Sequence, residues 1–299
     1  MSKKSVQIIT RFCVMILLAV FVLYMNHWSA SREADDTLAP GMENGILEVH
    51  FIDVGQGDSI LIKSETSAML IDAGENNKGT TVLNYLKEQD IDTLEYVVGT
   101  HPHSDHIGGL DYVINNMSVD QIIMPDVVHT TKTYEDVLDA IDAKGLKITK
   151  PEVGAEYRLG PATFTIIAPS STEYRELNNY SIGIKLTYNN CTFLLAGDAE
   201  NQSEQEMLKS GIDLSADVLK ISHHGSEYSS CAAFLDAVKP EYAVISVGKD
   251  NDYGHPHTAT LQALKDRGIK LYRTDEQSNV VFTTDGKTLS VNSEPSAID

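Results

Sequence analysis

His101-Pro102-His103-Ser104-Asp105-His106 puts four residues of metal-ligating type into six positions. The segment follows the apolar run Leu94 to Val98 and precedes Gly108-Gly109, which places it in a loop between a strand and a helix, where catalytic groups gather. Side chains alternate along an extended segment, so His101 and His103 lie on one side and can share an ion. Asp105 and His106 turn away as the chain enters the helix and reach a second ion. Imidazole and carboxylate together suit Zn²⁺, with Mn²⁺ or iron as alternatives. Two further pieces deliver ligand-type residues just past an apolar strand: Leu194-Leu195-Ala196-Gly197-Asp198, and Leu219-Lys220-Ile221-Ser222-His223-His224-Gly225. Singly, an aspartate after a glycine reads as a turn or cap, and a histidine pair as a polar surface loop. Their common strand-end placement argues for one site.

Working outward, strand patterns fall at 47–54, 59–63, 68–71 and 94–98, and helical patterns at 80–88, 106–115 and 134–144. A β-rich middle follows at 162–168, 181–188 and 191–195, with Asn189-Asn190 as a tight hairpin turn. Alternation then resumes: helix 202–209, strand 218–222, helix 231–238, strand 242–247, helix 258–267, and short strands at 270–272, 280–283 and 288–291. Two β-rich halves, each with its own helices, predict an α/β protein of αββα sandwich type. One domain over 46–293, followed by a tail over 294–299, accounts for this pattern. Cys191 and Cys231 read as small buried hydrophobes rather than a bridge.

The N-terminus predicts the compartment. Lys3, Lys4 and Arg11 precede the apolar run Phe12 to Met25, and an acidic, turn-forming linker over 29–45 follows. Residues 1–28 therefore read as a signal anchor or signal peptide in the cytoplasmic membrane, with the domain outside, either anchored or secreted. The 43 acidic residues against 23 basic ones leave a net charge of −20, a field that disfavours nucleic acid as a partner.

The trio of ligand segments, together with His50-Phe51-Ile52-Asp53-Val54-Gly55-Gln56-Gly57-Asp58-Ser59 and Leu70-Ile71-Asp72-Ala73-Gly74, resembles the metallo-β-lactamase superfamily. Within it, the Gly55–Asp58 turn and Tyr253-Gly254-His255-Pro256 are similar to the metallohydrolase domain of ComEC-like competence proteins. The resemblance runs from Ile46 to Val291. It implies His101 and His103 as ligands of a first ion, Asp105 and His106 as ligands of a second, and Asp198 as the bridge. It further implies His223 completing the second site, with His224 as the rival, and Asp72 as the buried aspartate that steadies the histidine loop. Many members supply a third histidine to the first ion from the segment before Asp198; here that stretch reads Leu177-Asn178-Asn179-Tyr180-Ser181.

Two divalent ions about 3.5–4 Å apart can hold a hydroxide between them and clamp the oxygens of an in-line displacement. The expected activity is therefore hydrolysis, with Asp105 and His255 as the catalytic residues; His255 contacts substrate or protonates the leaving group. A carboxylate at Asp198 resembles the phosphodiesterase and thioesterase branches, which makes a small or polymeric phosphodiester, such as a wall-linked headgroup, the leading substrate. Another ester, a thioester or a lactam, or a non-catalytic binding module on the same fold, are the competing readings. His257 is placed at the start of a helix, and His50 and His129 are read without chemistry.

Overall fold

Strands covered on both faces read as continuous apolar runs rather than alternating ones, and Ala68-Met-Leu-Ile71 is such a run, buried at all four positions. The computed structural model describes residues 45–298. In chain order, β1 (Leu47–Phe51), β2 (Ile60–Lys63), β3 (Ala68–Ile71), α1 (Gly79–Glu88), β4 (Thr93–Val98), α2 (Ser104–Ile107), α3 (Leu110–Asn116), β5 (Ser118–Ile123), α4 (Lys132–Ala143) and β6 (Ile148–Thr149) form the first half. The second half holds β7 (Glu156–Leu159), β8 (Ala162–Ala168), β9 (Gly183–Tyr188), β10 (Cys191–Leu195), α5 (Asn201–Lys209), β11 (Val218–Lys220), α6 (Ala232–Val238), β12 (Tyr242–Ile245), α7 (Thr258–Asp266), β13 (Lys270–Arg273) and α8 (Thr274–Gln277). The last two strands, β14 (Val280–Thr284) and β15 (Leu289–Val291), cross back to the first half.

One sheet of eight strands has the order β15-β14-β1-β2-β3-β4-β5-β6, and one of seven has β13-β12-β11-β10-β9-β8-β7. Three apolar cores separate the layers. Phe51, Phe164, Phe193, Leu195 and Phe282 fill the space between the sheets. Leu70, Val97, Val82, Leu86, Val113 and Val137 join the first sheet to its helices, and Leu194, Leu219, Phe234, Leu235 and Leu264 join the second to its own. Period-two alternation assigns Phe193 and Leu195 to the inner core and Leu194 to the outer one. That is the expected αββα arrangement. Phe193 lies at 0% exposure, so Phe193→Ala opens a cavity costing about 3–5 kcal/mol.

Topology sets where the loops meet. β3, β4 and β5 run parallel, as do β10, β11, β12 and β13, so the segments after β3, β4, β10, β11 and β12 leave at the carboxyl ends of neighbouring strands. β2 is antiparallel to β3, which brings the Gly55–Asp58 turn to the same end.

Several boundaries differ from expectation. β1 stops at Phe51, although the Ile52 amide still donates to the Ser59 carbonyl. The helix expected over 106–115 is two pieces, since the backbone at Gly108 and Gly109 packs against residues 73–76 and 79. β5, β6 and β7 were not anticipated, because their half-exposed, mixed polar sequences lack an apolar run. Among the described residues no helix is long and apolar enough to cross a membrane; the predicted N-terminal segment and nearly all of the linker lie outside them.

Candidate metal centre

The carboxyl end of β3 delivers Asp72, held at φ +57. Its carboxylate is buried and accepts from the Thr100 amide at 2.8 Å, the Thr100 hydroxyl at 2.6 Å and His106 Nδ1 at 2.8 Å. Asp72 thus ties the histidine loop at both ends, through Thr100 and His106. Because His106 donates from Nδ1, its Nε2 lone pair points into the site. His224 is fixed in the same sense by a different partner, with Nδ1 donating to the Ser246 carbonyl at 2.8 Å.

The two free Nε2 atoms converge on two carboxylates. His106 Nε2 lies 3.2 Å from Asp198 Oδ2 and 3.9 Å from Asp105 Oδ2; His224 Nε2 lies 3.3 Å from Asp198 Oδ2 and 3.2 Å from Asp105 Oδ2. Ligands about 2.1 Å from a tetrahedral centre sit about 3.4 Å from one another, so this spacing fits one cation. His106 Nε2, His224 Nε2 and Asp198 Oδ1 are all buried without a hydrogen-bond partner, which buried polar atoms rarely tolerate. A divalent ion would be held by Asp105, His106, Asp198 and His224.

Electrostatics point the same way. Burial works against charge on His224, yet Asp198 and then Asp105 outweigh it and raise the imidazole to about 10. His106 is likewise buried, and Asp198, Asp105 and Asp72 hold it well above its usual value. Burial opposes ionisation of Asp198 and of Asp105, but His106 and His224 keep both carboxyls well below the ordinary range. These groups attract positive charge strongly, and a cation would supply it while displacing imidazole protons.

The first ion's expected ligands are arranged differently. His101 Nε2 lies 3.0 Å from His103 Nδ1, so His-x-His does put both rings on one side. Burial, followed by the charge on His106, lowers both imidazoles, which suits neutral ligands. Among the described residues, however, the groups of three or more donors with atoms within 4.8 Å are Asp105–His106–Asp198–His224 and Asp58–Asp72–His106. His101 and His103 belong to neither. Where a third histidine was missing, Asn178 turns its amide to His223 at 3.5 Å and to Glu200 at 2.9 Å.

His223, preferred to His224 from sequence, is not brought into the four-donor cluster. Both residues are left-handed, at φ +52 and +54, and it is His224 whose ring turns to Asp105 and Asp198. The His223 ring faces Glu200 at 3.5 Å and His255, with ring centres 5.5 Å apart. His255 lies on the rim, stacked on the exposed Tyr253, and burial followed by the charge on His223 lowers it to about 4. Its Nδ1 is buried without a partner. A cleft of about 250 Å³ joins these groups, lined by Gln56, His103, Asp105, Asn178, His223 and His255 among others. His257 caps α7 and accepts from the Glu227 amide; His50 is buried beside Tyr85, away from the cleft.

Sequence reasoning missed Lys220 and Asp58 as parts of one arrangement. Both stood inside quoted segments, but a lysine ending a strand gives no signal of burial. Asp58 reaches the site because Gly57, at φ +119, lets the turn close on the histidine loop: a Cβ there would sit 2.1 Å from the Asp105 carbonyl.

Residues 52–249 match the sequence profile of the metallo-beta-lactamase superfamily. ComE operon protein 3 of Bacillus subtilis is 30% identical over 253 residues, covering 79% of this chain and 33% of that protein. Competence protein ComA of Neisseria gonorrhoeae is 29% identical, over 77% of this chain and 31% of that protein. The chain therefore spans about a third of the length of these relatives. Among solved structures, the metallo-beta-lactamase fold protein YhfI from Bacillus subtilis superposes with a TM-score of 0.53 at 14% identity, over 80% of this chain and all of that one. CmlA, a diiron beta-hydroxylase from Streptomyces venezuelae, does so with 0.52 at 13%, over 79% of this chain and 53% of that one. With the profile match and the site geometry together, the chain belongs to the metallo-β-lactamase superfamily of metal-dependent hydrolases.

Proposed function

We propose that this protein is a two-ion, zinc-dependent hydrolase of phosphodiester bonds. The observation that carries the reading is the four-donor cluster of Asp105, His106, Asp198 and His224, at tetrahedral spacing on the floor of an open cleft. His101 and His103 flank it and would hold the second cation of the pair. A bound divalent ion there would make water a nucleophile at neutral pH and polarise a phosphoryl oxygen.

The protein's own residues do the rest. Asp72 and the Ser246 carbonyl keep the two Nε2 lone pairs aimed. The His223, Asn178 and Gln56 side chains offer hydrogen bonds to anionic oxygens from the cleft wall. His255, which lines the cleft, stands where it can contact the leaving-group oxygen. A cleft of about 250 Å³ suits a small or terminal phosphodiester, and the net charge of −20 disfavours long nucleic acid.

A substrate panel tests this: bis(p-nitrophenyl) phosphate, glycerophosphodiesters and a dinucleotide against a thioester, a lactone and a β-lactam, each with Zn²⁺ or Mn²⁺. Phosphodiester turnover that chelation abolishes is expected. Turnover of a thioester, lactone or lactam alone would overturn the assignment. We also place the domain outside the cytoplasmic membrane, on the strength of the basic residues before the 12–25 apolar run and the acidic ones after it. A single cysteine introduced into the 31–45 linker of an otherwise cysteine-free chain should react with a membrane-impermeant thiol reagent in intact cells. Labelling only after lysis would refute export.

A further inference from the structure

Asp105 and His106 belong to the first sheet's loops, Asp198 and His224 to the second's. Four donors shared between two sheets are useful only if the sheets cannot slide, and apolar side chains between them resist sliding weakly because they lack direction. One contact behind the donors does have direction. Lys220, the last residue of β11, is fully buried, and its ammonium donates to Asp58 Oδ2 at 2.6 Å and to the Gly197 carbonyl at 3.1 Å, with Asp198 Oδ1 at 3.8 Å. Two of its three protons are thus taken by oxygens from the two sheets, and the charge also faces Asp198.

Asp58 in turn is tied to the first sheet's donors. Its amide donates to the Asp105 carbonyl at 3.1 Å, and its own carbonyl accepts from Gly74, two residues after Asp72, at 2.8 Å. Among the described residues this is the one lysine or arginine ion pair with an aspartate from the opposite sheet in which both side chains are buried. The chain of contacts runs Asp105, Asp58, Lys220, Gly197, Asp198, and so links one half of the donor set to the other without passing through an ion. The same ammonium supplies the positive charge beside Asp58, Asp72 and His106, which otherwise form a donor group of their own.

A buried ion pair adds little net stability, because desolvation offsets the attraction. Its fixed length and direction remain. We propose that Asp58 and Lys220 are positioning residues: the ion pair bolts the two sheets together behind the metal centre and holds Asp105–His106 and Asp198–His224 at cation-binding separation. The proposal rests on the metal reading above.

The test uses the full chain, stripped of metal and titrated with Zn²⁺ against a chromophoric chelator and with Co²⁺ followed by its visible absorption. The double variant Asp58→Asn, Lys220→Met leaves net charge unchanged and replaces the pair by uncharged groups of similar size. Its Zn²⁺ affinity is expected to fall about 10–100-fold, the range for partners that orient metal ligands, with a changed Co²⁺ spectrum. The denaturant midpoint of the metal-free protein should stay close to wild type. A purely structural pair would do the reverse, lowering the metal-free midpoint while leaving Zn²⁺ affinity and Co²⁺ spectrum unchanged, and that result overturns the proposal. Should the double variant not fold, Asp58→Ala alone removes the acceptor for Lys220; wild-type affinity and spectrum in that variant would equally overturn it. Wild-type protein that takes up neither ion would remove the metal centre itself, whereas uptake by wild type with no change in the variants removes only the bolt.

Discussion

Replacing His224 should empty the four-donor site, while replacing its neighbour His223 should not. Both positions have left-handed backbone, so asparagine, which tolerates that region, is the right substitution and keeps the turn. His224 Nε2 lies 3.2 and 3.3 Å from the two carboxylates of the cluster, whereas the His223 ring is directed at Glu200, Asn178 and His255. A four-ligand zinc site contributes about 10–16 kcal/mol, so one ligand of four accounts for about 3–4 kcal/mol. At tenfold per about 1.4 kcal/mol, His224→Asn should bind Zn²⁺ about 10²–10³-fold more weakly, and His223→Asn within about threefold of wild type. Competition with a chromophoric chelator at pH 7.5 reads both. His223→Asn is expected instead to raise KM for whatever phosphodiester the panel identifies. If His223→Asn loses metal as severely as His224→Asn, the assignment of the ligand to His224 is wrong.

Other outcomes follow from the same geometry. Asp198→Ala should abolish hydrolysis while the far-ultraviolet circular dichroism stays unchanged, since the carboxylate serves the site and the sandwich is packed by apolar strands; near-wild-type turnover would remove Asp198 from the centre. Gly57→Ala should destabilise by about 2–4 kcal/mol in urea unfolding, combining a disallowed φ with a clash on the Asp105 carbonyl; an unchanged midpoint would mean the turn closes in another way. His50, lowered from 6.5 to about 4 chiefly by burial, is neutral in the folded chain and protonates first in the unfolded one. Its contribution is therefore complete above pH 6.5 and is lost as pH falls towards 4. At about 1.36 kcal/mol per unit, wild-type metal-free protein should lose about 2 kcal/mol more than His50→Gln between pH 7 and pH 4.5, and equal losses would contradict this.

The architecture was legible where chemistry clusters in sequence. His101 to His106 announced a strand-end metal loop because four donors fall in one turn, and the hydrophobic runs at 68–71, 191–195 and 242–245 marked strands covered on both faces. Legibility failed where two neighbouring residues offer the same donor. His223 and His224 are adjacent imidazoles, and only the folded contacts, His224 with Asp105 and Asp198 and His223 with Glu200, tell them apart. It failed again for Asp58 and Lys220, 162 residues apart, where nothing local distinguishes a buried lysine from an exposed one. β5, with its exposed Ser118, Asp120 and Gln121, was lost because sheet pairing rather than local pattern makes it a strand.

The division of the four donors between the two sheets also sets a chronology. Asp105 and His106 are complete within the first half of the chain, but Asp198 and His224 come later and are placed only when β10 and β11 have joined the second sheet. Neither half alone holds more than two of these four donors, so a partly folded chain lacks the complete cluster. An ion bound tightly at this cluster would therefore report that both halves have closed.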